Sequence, residues 1–202
     1  MTIMVMIDIT MPMRKFALPL LANPSIENPM RVQHLLLASM ALCYLIPIVT
    51  VYLLRSEETP SISNIICSDS TRPVILGSMA AMAICTLLYE SNRKDPISFA
   101  AILCLLIALA GVILTNESNV LIHYSLAALV FLSMILFLYH HSRRLDSIVL
   151  YGMVLAELVF IAHTLYCIQG SIFLSEVLVL GGFALGYLYI HWVEYIKRSS
   201  HD

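Results

Sequence analysis

Six times along its 202 residues the chain turns apolar for roughly 16 to 23 residues, at 32–54, 74–89, 97–115, 120–139, 148–168 and 172–192, with short polar breaks between. An α-helix needs about 20 such residues to cross ~30 Å of hydrocarbon. Only 12% of the residues are charged, half of the about 25% found in a soluble domain, and a polar surface cannot be built from so few. The expectation is an all-α fold, a six-transmembrane-helix polytopic bundle. Three parts follow: an N-terminal segment 1–31, a membrane domain 32–198 and a tail 199–202. Six spans absorb about 120 residues at that length, which leaves no room for a separate soluble domain.

Lys and Arg in short loops set orientation. Arg14, Lys15 and Arg31 precede the first span, Arg93 and Lys94 follow the second, Arg143 and Arg144 follow the fourth, and Lys197 and Arg198 follow the sixth. The other side receives only Arg55 and Arg72. Nine basic residues against two place both termini inside. Trp192 and Tyr195 stand just before Lys197, where an interfacial aromatic anchor belongs.

Segment 1–31 carries Asp8 and four prolines, Pro12, Pro19, Pro24 and Pro29, which prevent one long helix. No charged n-region precedes an apolar core long enough for a secretory signal. A segment lying on the inner membrane face is expected; the presence of only one acidic residue before Arg14 and Lys15 also permits a mitochondrial presequence.

A net charge of -2 lacks the basic stripe of a nucleic-acid binder, so no nucleic-acid partner is expected. Cys43, Cys67, Cys85, Cys104 and Cys167 contain no CxxC, and four of them lie in apolar runs, which reads as free thiols acting as small hydrophobes. There is no Gly-rich phosphate loop, no serine nucleophile elbow and no lysine in the last span. Neither cofactor nor metal is expected. His140 and His141 beside Arg143 and Arg144 read as a solvated basic loop, or as a contact for anionic lipid. Small residues mark close helix approaches at Gly182 and Gly186, Gly77 and Ala81, and Ala110 and Gly111.

Ionisable residues inside spans are costly and therefore informative. By the 1.5 Å rise, His123 lies about 5 Å from the outer helix end, and His163 and Glu176 about 7 Å. These three groups on three helices share one depth. Glu157 lies deeper, about 16 Å from the outer end and about 120° round its helix from His163. Two readings of the trio compete. A converging set could hold a metal that activates water against a lipid ester. Alternatively, His123, His163 and Glu176 fix helix register or contact a lipid headgroup or partner. Their spacing carries no HxxxH or HExxH motif, which favours the second.

The chain also resembles the damage-regulated autophagy modulator family, which groups with GPI-lipid-remodelling proteins and regulators of phosphatidylinositol kinase. Pro60-Ser61-Ile62-Ser63 followed by Pro73 resembles the family's P-x-I-S-D…P loop. Gly111 through Asn116 resembles its G-x-x-x-x-N; His123, Ala127 and Phe131 resemble its H-x-x-G-A-x-x-x-F helix; Ser175-Glu176 stands where it has A-E-W. Asn64, Leu126 and Val177 depart from the pattern. The likeness covers about residues 35–198. It implies six spans, inside termini and a regulator of lipid handling and autophagy that binds membrane lipids or other membrane proteins. It places that regulator in an endomembrane (lysosome, Golgi or ER) or the plasma membrane, and it carries over no catalytic mechanism.

Two other readings stand beside this one. The chain could be an accessory subunit of a large membrane complex, with the mitochondrial inner membrane as its site, or an intramembrane lipid hydrolase or acyltransferase built on the outer trio.

Overall fold

A computed structural model of the protein describes residues 29–54, 72–115, 120–166 and 173–199. They form six α-helices: α1 Pro29–Leu54, α2 Arg72–Arg93, α3 Pro96–Thr115, α4 Val120–Leu145, α5 Ile148–Tyr166 and α6 Phe173–Ser199. No strand occurs among the described residues. Five helices are long and apolar enough to cross a membrane, and α5 carries a shorter apolar stretch, Ile148–His163. This is the architecture of a multi-pass membrane protein. Helices suit such a medium because each satisfies its own backbone, so that even Pro47 inside α1 is tolerated.

Three elements differ from the hydropathy reading. The second span, shortest in the sequence at 74–89, is a helix of 22 residues. The fourth continues to Leu145 and the sixth to Ser199. Polar residues that mark span ends by hydropathy are here carried inside the helices, and Glu90, Arg93, His140, Arg144 and Glu194 among them find partners on another element. The short element is instead α5. The interfacial segment expected over 1–31, apart from its last residues, lies outside the described residues. So do 55–71 with the Pro60–Ser63 motif and Cys67, as well as Asn116, Cys167 and residues 200–202.

Two tight turns close one end of the bundle. Lys94 leaves α2 in a left-handed conformation, φ 57°. Asp95 then caps α3: its Oδ1 accepts from the amides of Ile97 at 3.2 Å and Ser98 at 3.1 Å, and Pro96 takes the first helical position. Asp146 repeats the device after α4 at φ 49°. The Ser147 amide reaches back to the Ser142 carbonyl at 3.1 Å, a six-to-one helix stop.

Helices adjacent in sequence are adjacent in space, and α6 also packs on α4. The core is built where α3, α4, α5 and α6 meet, around Ile102, Met134, Phe137, Leu150 and Ile190. Only 6% of the membrane-length window of α1 is buried, against 28% in each of the other four long spans, so α1 is peripheral.

Glycines decide how closely these helices pack. A Cβ on Gly111 would come 2.8 Å from Leu126 Cδ1, and one on Gly186 would come 2.6 Å from Leu138 Cδ2. Gly182 lies against the Glu157 carboxyl. These contacts run between α3 and α4 and from α6 to α4 and α5, all within one chain. Gly77 behaves otherwise. No atom of the described residues lies within 4 Å of its missing side chain, and both Gly77 and Ala81 are exposed, so that small-residue pair makes no close approach among the described residues.

Candidate functional site

The ends of α2, α4 and α6 and the start of α3 bring together a cluster of buried polar side chains. At its centre Glu90 is fully buried. Its Oε1 accepts from Arg93 Nη1 at 2.9 Å and from the Tyr187 hydroxyl at 2.6 Å; its Oε2 accepts from Ser98 Oγ at 2.5 Å. Three donors from three helices thus satisfy a group that an apolar interior would reject if left bare. Arg93, its side chain 3% exposed, reaches across to Glu194 Oε1 at 2.6 Å. Its guanidinium lies 5.9 Å from the centre of the Tyr89 ring.

A second ionic group adjoins the first. Asp95 Oδ2 accepts from Arg144 Nη1 at 2.6 Å and pairs with His140 Nε2 at 2.9 Å. Burial alone would push the Asp95 carboxyl up. Hydrogen bonds from His140 and the Ser98 amide, with the charges of His140 and Arg144, outweigh burial and bring its pKa down to about 2. Arg144 also stands 3.6 Å from Glu194, which links the two groups. Arg93 and Arg144 thus face the three carboxylates of Glu90, Asp95 and Glu194.

His141 is fully buried beside Ser98, with Nε2 3.2 Å from Ser98 Oγ. Because Ser98 gives its own proton to Glu90, it can only accept from His141, which assigns the ring proton to Nε2. Nδ1 then lies buried without a partner among the described residues. The expected solvated loop at His140–His141 is therefore corrected. α4 runs through both residues, and His141 belongs to the inward stripe of Phe137 and Leu138, its ring 4.6 Å from that of Phe137.

Aromatic groups edge the cluster. The Tyr89 hydroxyl bonds His191 Nδ1, and His34 of α1 sets its ring edge-on to His191 at 5.8 Å and to Tyr195 at 5.5 Å. A shallow cleft opens here, lined by Gln33 and His34 of α1, Tyr89 and Arg93 of α2, and His191, Glu194 and Tyr195 of α6. Arg93 Nε, on the wall of this cleft, is buried without a hydrogen-bond partner among the described residues. Ser98, held between His141 and Glu90, is fully buried, so no substrate reaches its hydroxyl. The arrangement is that of a clamp holding α2, α3, α4 and α6.

The three residues singled out by depth lie at the opposite end of the bundle. His163 Nδ1 is 2.8 Å from Ser175 Oγ, which ties α5 to the first turn of α6 immediately before Glu176. His123 stands in the first turns of α4 with its ring edge-on to Tyr124 at 5.9 Å, and its Nδ1 is buried without a partner among the described residues. No hydrogen bond among the described residues joins His123 to Glu176. Nor does any group of three His, Cys, Asp or Glu among them stand ready to hold a metal ion. The structure thus connects His163 to the start of α6 and leaves His123 apart.

Local pattern held some signs of the clamp. Glu90 and Arg93 are an i, i+3 pair on one helix face. Asp95-Pro96 is a helix-start signature, and His141 continues the i, i+4 stripe from Phe137. Tyr187 and Glu194 gave none, since their partners lie on other helices. Compared with known protein families, curated proteins and solved structures, the chain matches none of them.

Proposed function

We propose that the chain is a multi-pass membrane protein that acts by binding, without chemistry of its own, with membrane lipid or a neighbouring membrane protein as partner. This is the mode of action implied by its resemblance to the damage-regulated autophagy modulators, with an endomembrane or the plasma membrane as its place. One observation carries the reading: every carboxylate of the ionic cluster is paired. Each already accepts from a basic side chain, its serine is sealed and the unpartnered His141 Nδ1 is buried, so the cluster offers neither a free carboxylate nor a reachable nucleophile. Lipid contact is supported by the cleft, with His34 and Arg93 in its lining, and by the exposed residues Lys94, Arg143 and Lys197 near helix ends on the same side of the bundle. His123, His163 and Glu176 remain candidates for a second contact at the other end.

A second reading, an accessory subunit of a larger assembly, is favoured by α1. Leu35, Leu42, Leu45 and Leu53 point away from the bundle, and a partner helix could cover them as well as lipid does. Native mass spectrometry of the protein extracted in mild detergent separates the readings. Retained anionic phospholipid on a small species supports lipid binding. Migration only within a large assembly supports the subunit. A bare protein that takes up no added lipid and joins no complex overturns both.

A further inference from the structure

Glu157 stands within the apolar stretch Ile148–His163 of α5, a helix with no other Asp or Glu and no Lys or Arg. It is 2% exposed. Its carboxyl occupies the space that a side chain at Gly182 of α6 would fill, and its Oε2 is buried without a hydrogen-bond partner among the described residues.

The helices around it supply nothing ionic. On α1 the group that feels Glu157 is Tyr44, whose hydroxyl already donates to the Leu180 carbonyl at 3.1 Å. α6 presents Gly181 and Gly182 at this point, with Glu176 and Tyr187 more than a turn away on either side. α4 carries no Asp, Glu, Lys or Arg before Arg143; its titratable groups are His123 and Tyr124 near one end and Tyr139, His140 and His141 near the other. Every charge in the clamp is paired, whereas this one has been given room and no partner. An isolated ion in hydrocarbon is heavily penalised, and a neutral acid escapes that penalty.

We propose that Glu157 is a proton-binding site of the membrane interior: a neutral carboxylic acid seated on Gly182, open to hydrophobic reagents and closed to water-soluble ones. Release of its proton places an uncompensated charge at the contact between α5 and α6. That contact must then loosen or admit water, which couples proton uptake to the closing of these two helices.

A hydrophobic carbodiimide tests this directly, because it reacts with the acid form. The acid proton passes to a carbodiimide nitrogen and the carboxylate oxygen adds to the central carbon. Acyl transfer to nitrogen then gives a stable N-acylurea, so the whole reagent is retained. Reconstituted full-length protein is treated with dicyclohexylcarbodiimide or, in parallel, with a water-soluble carbodiimide, and its peptides are mapped by mass. The expected result is one equivalent of the hydrophobic reagent on Glu157, little of the soluble one, and loss of labelling as the pH is raised, because the reagent needs the acid form. Glu157→Gln should abolish the label and Gly182→Ala, by crowding the seat, should reduce it. The mapping of unaltered protein decides the matter even if a variant fails to fold. An unlabelled Glu157 in a recovered peptide, equal reaction with both reagents, or labelling indifferent to pH overturns the proposal.

Discussion

The Tyr187 hydroxyl donates to Glu90 Oε1 at 2.6 Å, joining α6 to α2 across 97 residues of sequence. On the same oxygen Arg93 closes a salt bridge, so one buried carboxylate binds the sixth helix to the second. Tyr187→Phe keeps the ring, stacked on Phe137, and removes only the donor. It should destabilise the protein by about 1–3 kcal/mol, the cost of an under-satisfied buried group. Arg93→Leu leaves Glu90 and Glu194 without their shared cation and should cost about 3–5 kcal/mol. Thermal unfolding in detergent measures both. If Tyr187→Phe melts with the unaltered protein, the bond adds nothing to the clamp.

Acid should weaken the turn between α2 and α3. The carboxyl of Asp95, ordinarily titrating at 3.8, is held down to about 2 by His140, the Ser98 amide and Arg144. Between those values the unfolded chain binds a proton that the native chain does not, so stability falls as pH falls. This contribution is complete above about pH 4 and is lost progressively towards pH 2. Asp95→Asn retains a helix cap but not the charge, and should flatten that part of the acid limb in melting curves taken at pH 2 to 6. An unchanged acid slope in the variant would place the loss elsewhere.

Two glycines should respond to alanine with opposite signs. Gly186→Ala forces a methyl to within 2.6 Å of Leu138 Cδ2, a side chain that is itself fully buried, and overpacking of this kind costs about 1–3 kcal/mol. Gly77→Ala meets nothing within 4 Å and should gain up to about 1 kcal/mol from helix propensity. Equal melting shifts for the two variants would contradict the packing described.

Orientation can be read with an impermeant thiol reagent. Nine of eleven Lys and Arg residues fall on the side of the termini, which puts Cys67, outside the described residues, on the other side. In a Cys167→Ser background, Cys67 should react only from the face opposite the termini, the outside of sealed cells for a plasma-membrane protein and the lumen of opened vesicles for an endomembrane one. Reaction from the face of the termini would invert the topology.

Hydropathy made six helices legible, because a span must be apolar over a fixed length wherever it sits. It failed at the helix ends. Glu90 and Arg93 look like the start of a loop, yet they extend α2, since their charges are met by Tyr187 and Glu194 about a hundred residues later. His140 and His141 look hydrated for the same reason. Glu157 and His163, about 120° apart round one helix, differ in burial: the first is buried and the second exposed. Depth arithmetic could not foresee that His163 would turn to Ser175 while His123 Nδ1 found no hydrogen-bond partner among the described residues. Leu126 lies over Gly111 on the facing helix, a close approach visible only in three dimensions.

The clamp also dictates an order of manufacture. Glu90 and Arg93 emerge from the ribosome 97 and 101 residues ahead of Tyr187 and Glu194, so the second helix enters the bilayer with its ionic end incomplete. Until the last helix arrives, Arg93 has only Glu90 for company, and the half-made protein exposes to lipid the polar atoms that the finished one conceals. A chain interrupted before its sixth helix would therefore carry a defect that membrane quality control can recognise, and a chain that reaches its end erases that signal by folding.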